Sequence, residues 1–139
     1  MIVLDTNVVS ALMADQADRK LADWLDHIPR DRVWLTVITL FELQYGIELL
    51  APGRRRSAIE SALLRIVNGG FQDRILNFDK MAAVAAGSIA ATRRRGGRPI
   101  EIRDTMIAGI AIAHRADLAT RNVRHFQNLD IHVIDPWAE

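Results

Sequence analysis

The sequence predicts an α/β fold in which helices alternate with the strands of a mainly parallel sheet. Short runs of β-branched and apolar residues, typical of strands buried on both faces, recur along the chain. Longer stretches with apolar residues at helical spacing lie between them, which indicates βα units. Because the chain has 139 residues and half of them are hydrophobic, we expect a single domain over 1–139 with a substantial core.

In the first half of the chain, the predicted elements are bounded by residues that start or stop them. Asp5 and its polar neighbours follow the first strand and are able to cap a helix. Pro29 ends the second helix, whose apolar residues recur every three or four positions, and Pro52 ends the third. Gly69 and Gly70 close the fourth. The elements predicted here are strand 2–4, helices 8–13 and 17–28, strand 33–35, helix 36–50 and a helix around 59–66.

The second half of the chain shows the same alternation. Asp79 is placed to cap a long alanine-rich helix, which a loop at Gly96 and Gly97 follows. The most apolar segment of the chain, 106–113, is too short to span a bilayer and is typical of a buried helix. The elements predicted here are strand 74–78, helices 79–94 and 102–115, strand 117–120, a small helix at 122–126 and strand 131–134.

The composition excludes several kinds of function. The chain has no cysteine, which excludes disulfides, thiolate zinc sites and a cysteine nucleophile. The amino-terminal apolar run is interrupted by Asp5 and has no basic leader, so we expect no signal peptide and no association with membranes. These features favour a cytoplasmic protein. The net charge of +1 indicates little about partners.

Four polar residues are predicted to meet at one edge of the sheet. Asp5 and Asn122 follow strands, whereas Glu42 and Asp104 lie near the starts of helices. Strand ends and helix starts share one edge of such a sheet, which is where ligands bind. Carboxylates that converge repel one another, and a hard divalent cation such as Mg²⁺ relieves that repulsion. Such a cation also activates water, so the predicted chemistry is phosphodiester hydrolysis.

Each of these carboxylates has a simpler interpretation. Asp5 is explained equally well as a helix cap, and Asp104 as the cap of the apolar helix that follows it. Glu42 is explained as a solvated helix residue. Only their common position in the predicted topology favours a functional site.

Other polar residues are expected to have no catalytic role. The four histidines lack zinc-like spacing, so we interpret them as surface or loop residues. The tryptophans are interpreted as core or rim anchors. Two arginine runs, 54–56 and 93–95 with Arg98, are interpreted as solvated helix ends. The alternative for both runs is contact with phosphate or docking of an acidic partner segment.

Four segments of this chain, taken together, resemble PIN-domain toxins of the VapC and FitB type. They are the opening MIVLDTNVVS, then TVITLFELQYG from Thr36, RDTMIAG from Arg103, and LATRNVRHF from Leu118. Their order and spacing match over nearly the whole chain. The resemblance implies a three-layer α/β/α PIN-like fold with a mainly parallel central sheet. It also implies a toxin of a type II toxin–antitoxin system that cleaves RNA with Mg²⁺ (or Mn²⁺).

The resemblance assigns roles to particular residues. It implies a catalytic set of Asp5, Glu42, Asp104 and Asn122, with Asp5 and Asp104 as metal ligands and with Thr6, Asn7 and Thr120 in support. An aspartate is common in the family at the position of Asn122. Asparagine keeps a carbonyl oxygen but has no charge, which argues against a second tightly bound metal and not against the first.

The resemblance also implies partners. These are a second copy of the chain in a homodimer and a cognate antitoxin, with operator DNA contacted only indirectly through the antitoxin. A competing hypothesis is a non-catalytic PIN-like module that acts through this partner in DNA-bound repression. A phosphatase on another doubly wound sheet is disfavoured, because the segment at Asp5 lacks the second aspartate of a DxD spacing. The RNA target, the number of metals and the role of the arginine runs are left open.

Overall fold

A parallel sheet forms the centre of the molecule. The computed structural model describes residues 1–14, 16 and 18–138, and within them five strands hydrogen-bond to parallel neighbours. The strands are β1 at Ile2–Leu4, β2 at Val33–Thr36, β3 at Ile75–Leu76, β4 at Asp117–Ala119 and β5 at Val133–Ile134. Their order across the sheet is β3-β2-β1-β4-β5, so the first strand of the chain lies at the centre.

Helices cover both faces of this sheet, which confirms the predicted three-layer α/β/α architecture. They are α1 at Thr6–Leu12, α2 at Arg19–Asp26, α3 at Val37–Glu48, α4 at Arg54–Arg65, α5 at Lys80–Arg95 and α6 at Ile102–Ala113. Single turns of 3₁₀ helix occupy Arg30–Arg32 and Val123–Phe126, and a π-helical turn extends α4 over Ile66–Gly70. Within the described ranges, none of these helices is long and apolar enough to cross a membrane.

The apolar core has two halves, one on each face of the sheet. Val3 packs in a cluster with Ile107 of α6 and Leu118 of β4. The neighbouring Leu4 faces the other way and packs in a cluster with Leu21 of α2. Successive side chains of a strand point to opposite faces, so β1 is buried on both. This is why the strand contains only apolar residues.

Helices α5 and α6 approach each other closely at a glycine. A Cβ atom built on Gly109 would lie 2.6 Å from the carbonyl oxygen of Ala82 and 2.8 Å from the Cβ of Ala86. Gly109 and Ala82 are both buried. The absence of a side chain at residue 109 therefore sets how tightly α6 packs on α5.

Several predicted boundaries differ from the structure. The two edge strands β3 and β5 are shorter than the predictions 74–78 and 131–134, because each pairs with its neighbour through only two residues. The first helix begins at Thr6 rather than at residue 8. The predicted start of the second helix, Ala17, lies outside the described residues, and α2 begins after Asp18, whose carboxylate accepts from the Lys20 N–H.

Candidate functional site

Asp5 is a buried carboxylate at the end of β1. Its backbone N–H donates to the Ala119 carbonyl at 2.9 Å, which continues the pairing of β1 with β4. One side-chain oxygen, Oδ1, accepts from the Thr6 N–H at 2.8 Å and so caps α1. The other, Oδ2, accepts from the Thr120 hydroxyl at 2.7 Å. Asp5 is therefore a helix cap, as one interpretation predicted. Capping does not account for the hydrogen bond that Asp5 accepts from Thr120.

Thr120 and Asn7 hold Asp5 in place across the sheet. Thr120 is fully buried just beyond β4, and its Oγ1 also accepts from the Asn122 N–H at 3.0 Å. The Asn7 amide nitrogen lies 3.2 Å from Asp5 Oδ2 and 3.3 Å from Thr120 Oγ1. Asn7 Oδ1 accepts from the Arg121 N–H at 3.1 Å. The predicted supporting residues Asn7 and Thr120 therefore contact Asp5 directly.

Glu42 joins the same edge from the middle of α3. The Thr6 hydroxyl donates to Glu42 Oε1 at 2.9 Å and lies 3.0 Å from the hydroxyl of Thr39, one turn earlier on α3. Thr6 thus contacts both carboxylates: its backbone N–H donates to Asp5, and its hydroxyl donates to Glu42. Glu42 is partly buried, with one side of its carboxylate 4.0 Å from the Arg103 guanidinium.

Asp104 approaches from the first turn of α6, but it does not cap that helix. The cap is Glu101, whose Oε2 accepts from the N–H groups of Arg103 and Asp104 at 2.8 and 3.3 Å. The interpretation of Asp104 as a cap is therefore wrong. Its Oδ2 atom instead lies 2.9 Å from Nδ1 of His125.

His125 is exposed, as expected for a surface residue, but it also contacts the site through Asp104. It lies on the 3₁₀ turn after β4, and spacing between histidines gave no reason to single it out. The informative signal is its position three residues after Asn122, on the segment that leaves the carboxyl end of β4. Asn122 itself is exposed and joins the network through its backbone.

Burial and neighbouring carboxylates both act on the pKa of Asp5 and of Glu42. Burial raises the pKa of Asp5, hydrogen bonds from Thr120 and Thr6 oppose that rise, and the nearby Asp104 reinforces it. Burial also raises the pKa of Glu42, where Thr6 and Arg103 oppose the effect and Asp5 and Asp104 add to it. Asp5, Glu42 and Asp104 are therefore close enough at this edge for their charges to act on the pKa of Asp5 and of Glu42.

The chemistry of these groups fits a hard divalent cation. In the part of the chain that the structure describes, no three His, Asp or Glu side chains already form a group that could hold a metal ion. Mg²⁺, however, is commonly held by only one or two carboxylates, with water and substrate phosphate as its other ligands. The donors here are oxygens, and a cation would offset both the burial and the repulsion from neighbouring carboxylates that raise the pKa of Asp5 and of Glu42.

Comparison with known proteins gives a consistent result over the whole chain. A family model described as "PIN domain" matches residues 2–131. The chain is 34% identical to Toxin FitB of Neisseria gonorrhoeae over 139 residues, which is 100% of each protein. It is 34% identical over 137 residues to VapC ribonuclease Y4jK of Sinorhizobium fredii, covering 99% of this chain and 98% of that one.

Solved structures show the same similarity. The structure of FitAB bound to the IR36 DNA fragment superposes with a TM-score of 0.88 at 32% identity, over 99% of this chain and 96% of that one. The crystal structure of FitAcB from Neisseria gonorrhoeae superposes with a TM-score of 0.87 at 32% identity, and each chain is fully covered.

Proposed function

This chain belongs to the PIN-domain family, and from that premise we propose that it is a metal-dependent endoribonuclease, the toxin of a type II toxin–antitoxin system. The observation that carries the proposal is that Asp5, Glu42 and Asp104 lie near one another at one edge of the sheet, the first two joined through hydrogen bonds from Thr6. The similarity to a protein named a ribonuclease and to one named a toxin supports it.

Each site residue has a role that its contacts suggest. We propose that Asp5 and Asp104 hold Mg²⁺ or Mn²⁺, with Asp5 fixed by Thr120 and Asn7. When bound, the cation lowers the pKa of a coordinated water and stabilises charge on the phosphate. Because Asn122 is neutral, we propose one tightly bound cation rather than two.

Glu42 is suited to accept a proton. Thr6 occupies its Oε1 atom, which orients the carboxylate and leaves Oε2 turned towards Arg103 at 4.0 Å. A raised pKa makes this carboxylate a stronger base than an ordinary glutamate. We assign Glu42 Oε2 to take a proton from the attacking water.

The proposed partners follow from the relatives. One relative is named a toxin, and the FitAB structure is bound to DNA. We propose that this chain binds a cognate antitoxin and contacts operator DNA only through it. Because the proposed substrate is cellular RNA, we propose that the chain acts in the cytoplasm.

An apolar surface supports the proposed homodimer. Phe41 and Tyr45 of α3 stack with their ring centroids 6.2 Å apart, and they are 58% and 53% exposed. Ile102 and Met106 of α6 line the same groove, and Ile102 is 57% exposed. We call these four residues the α3–α6 patch. Exposed apolar surface of this kind is typical of a protein interface.

The proposal is tested by a cleavage assay on the purified chain, free of partner. The substrates are transfer, ribosomal and messenger RNA, each with Mg²⁺, with Mn²⁺ and with EDTA. We expect cleavage only with metal. Asp5→Asn is expected to reduce it by more than the roughly 10- to 100-fold that the loss of an outer-shell partner costs. Asp23→Asn, at an exposed position on α2, is the matched control.

Metal binding is measured separately from activity. A cation at about 100 times its Kd is expected to stabilise the wild type by about 2.7 kcal/mol, seen as a rise in Tm, and to stabilise Asp5→Asn much less. If folded, metal-bound wild type cleaves no RNA of the panel, the endoribonuclease proposal fails. The exposed, neutral Asn122 would then favour the non-catalytic module that acts through its partner.

A further inference from the structure

A basic cleft of about 340 Å³ opens beside Asp104. Three arginines and a histidine line it, together with two acidic residues. These residues are Arg93, Arg98, Arg124, His125, Glu101 and Asp104. The cleft therefore shares Asp104 with the proposed active site, although nothing in the proposed mechanism uses its arginines.

The backbone at the end of α5 fixes the position of Arg98. The Arg98 N–H donates to the Arg93 carbonyl at 2.9 Å, and the Gly97 N–H donates to the Arg94 carbonyl at 3.1 Å. This pair of bonds is the Schellman motif, which turns the chain back over the last helical turn. Gly97 has a φ of +71°, the left-handed conformation that this motif requires. Arg98 is therefore held over the last turn of α5.

The two acidic residues of the cleft already have partners. Glu101 accepts from the backbone of α6 and pairs with Arg103 at 3.0 Å, and Asp104 contacts His125. Arg93 donates to the carbonyl of Gln127, which is neutral. Neither Arg98 nor Arg124 forms an ion pair with any residue that the structure describes. Both are exposed, so the cleft presents positive charge to solvent.

We propose that this cleft is a subsite for the phosphate backbone of the RNA substrate, in which Arg98 and Arg124 contact phosphates that flank the bond to be cut. The inference rests on the proposed function. An edge that carries Asp5, Glu42 and Asp104 repels a polyanion, and arginines beside Asp104 offset that repulsion. Arginine also matches phosphate geometry through paired N–H donors. An acidic protein segment would match the same charge, but the continuity of the cleft with Asp104 favours the substrate.

The test measures RNA binding apart from cleavage. A fluorescein-labelled single-stranded RNA is titrated in EDTA with wild type, with the double variant Arg98→Ala/Arg124→Ala and with Arg54→Ala/Arg55→Ala. The last variant removes the same charge from the start of α4. We expect the Arg98/Arg124 variant to weaken binding roughly tenfold at low salt. We also expect the slope of log K against log salt to become shallower by about 1.4, which corresponds to two phosphate contacts on a single strand.

Cleavage kinetics and metal binding show whether the Arg98/Arg124 variant is impaired in RNA binding alone. In Mg²⁺, the Arg98/Arg124 variant should raise KM with little change in kcat, because its metal ligands are intact. Its rise in Tm on addition of Mg²⁺ should equal that of wild type. A wild type that binds RNA through these arginines but cuts no RNA would contradict the proposed function and leave the subsite standing.

Three results would overturn the subsite. The first is an Arg98/Arg124 variant with the Kd and salt slope of wild type. The second is an Arg54/Arg55 variant that loses as much affinity. The third is a polyglutamate peptide whose binding depends on Arg98 and Arg124 while RNA binding does not. That result would assign the cleft to an acidic protein segment.

Discussion

The hydroxyls of Thr6 and Thr120 determine how two carboxylates are held at the edge of the sheet. Thr120 donates to Asp5 and Thr6 donates to Glu42, at 2.7 and 2.9 Å. These bonds favour the charged forms, but burial and mutual repulsion outweigh them, since the pKa of both carboxyls is raised. Ionised Asp5 and Glu42 therefore cost folding free energy in the metal-free protein.

This cost has a defined dependence on pH. Glu42 binds its proton more tightly in the folded chain than in the unfolded chain, where its pKa is near 4.5. The stability it contributes is present below that value and is lost as the pH rises through the folded-state pKa. Glu42→Gln removes the charge and keeps an acceptor for Thr6. In EDTA, we expect the Tm of this variant, relative to the Tm of wild type, to rise by a few degrees between pH 4.5 and 7.

Differential scanning calorimetry across that pH range measures the gain. Asp23→Asn, on the exposed surface of α2, is the control and should show no such trend. Saturating Mg²⁺ should shrink the difference, because it stabilises wild type more than the variant. A Tm difference between Glu42→Gln and wild type that is independent of pH would contradict this account of Glu42.

The sequence was informative about single residues where local topology decides their position. Asp5, Glu42, Asp104 and Asn122 were expected at one edge because each follows a strand or lies near the start of a helix. The contact of His125 with Asp104 depends on how the 3₁₀ turn packs against α6. Sequence spacing does not encode that packing, so the contact of His125 with Asp104 was not predicted, although its exposed position was.

Among the secondary-structure elements, the pair α5 and α6 shows the tightest constraint. A methyl group at Gly109 would overlap the backbone of Ala82 and the side chain of Ala86. Gly109→Ala is therefore expected to destabilise the protein by roughly 1–3 kcal/mol, although alanine favours helices in general. Urea denaturation, read as a lower midpoint at unchanged m, measures the loss.

A second glycine gives the matched control for this prediction. Gly87 is exposed in the middle of α5, with no atom within 4 Å of a built Cβ. Gly87→Ala should stabilise the protein by about 0.5–1 kcal/mol, because it only restricts the unfolded chain and favours the helix. If both variants gained stability, the close contact of α5 with α6 would be refuted.

The elements themselves were largely predictable, and the errors occur where tertiary contacts set a boundary. Asp79 caps α5 as expected, since its carboxylate accepts from the Ala82 N–H at 3.0 Å. The cap of α6 was not predicted, because the side chain of Glu101, rather than that of Asp104, accepts from the first free N–H groups of the helix. The edge strand β3 was overestimated because apolar character continues through Phe78, whereas its pairing with β2 covers only two residues.

For the molecule as a whole, the α3–α6 patch lies beside the proposed site. Phe41 precedes Glu42 in the chain, and Ile102 lies two residues before Asp104. If two copies associate through this patch, each active site borders the interface. Tyr45→Glu should then convert a dimer into a monomer, because it places a charged carboxylate in an apolar interface.

Light scattering coupled to gel filtration measures this change in mass. Leu64→Glu is the matched control, since Leu64 is 60% exposed on α4, outside the patch. It should leave the mass of wild type unchanged. A Tyr45→Glu variant that keeps the mass of a wild-type dimer would exclude this patch as the interface.

The central position of β1 also affects how the protein is made. The hydrogen bond between Asp5 and Thr120 joins residues 115 apart in the chain. At roughly 5–20 residues per second, the ribosome adds Thr120 roughly 6–23 s after Asp5. Until then the first strand lacks β4, and its carboxylate lacks the hydroxyl that holds it. We therefore expect a nascent chain that stalls before residue 120 to lack a complete site, so that premature termination of translation releases fragments with little or no activity.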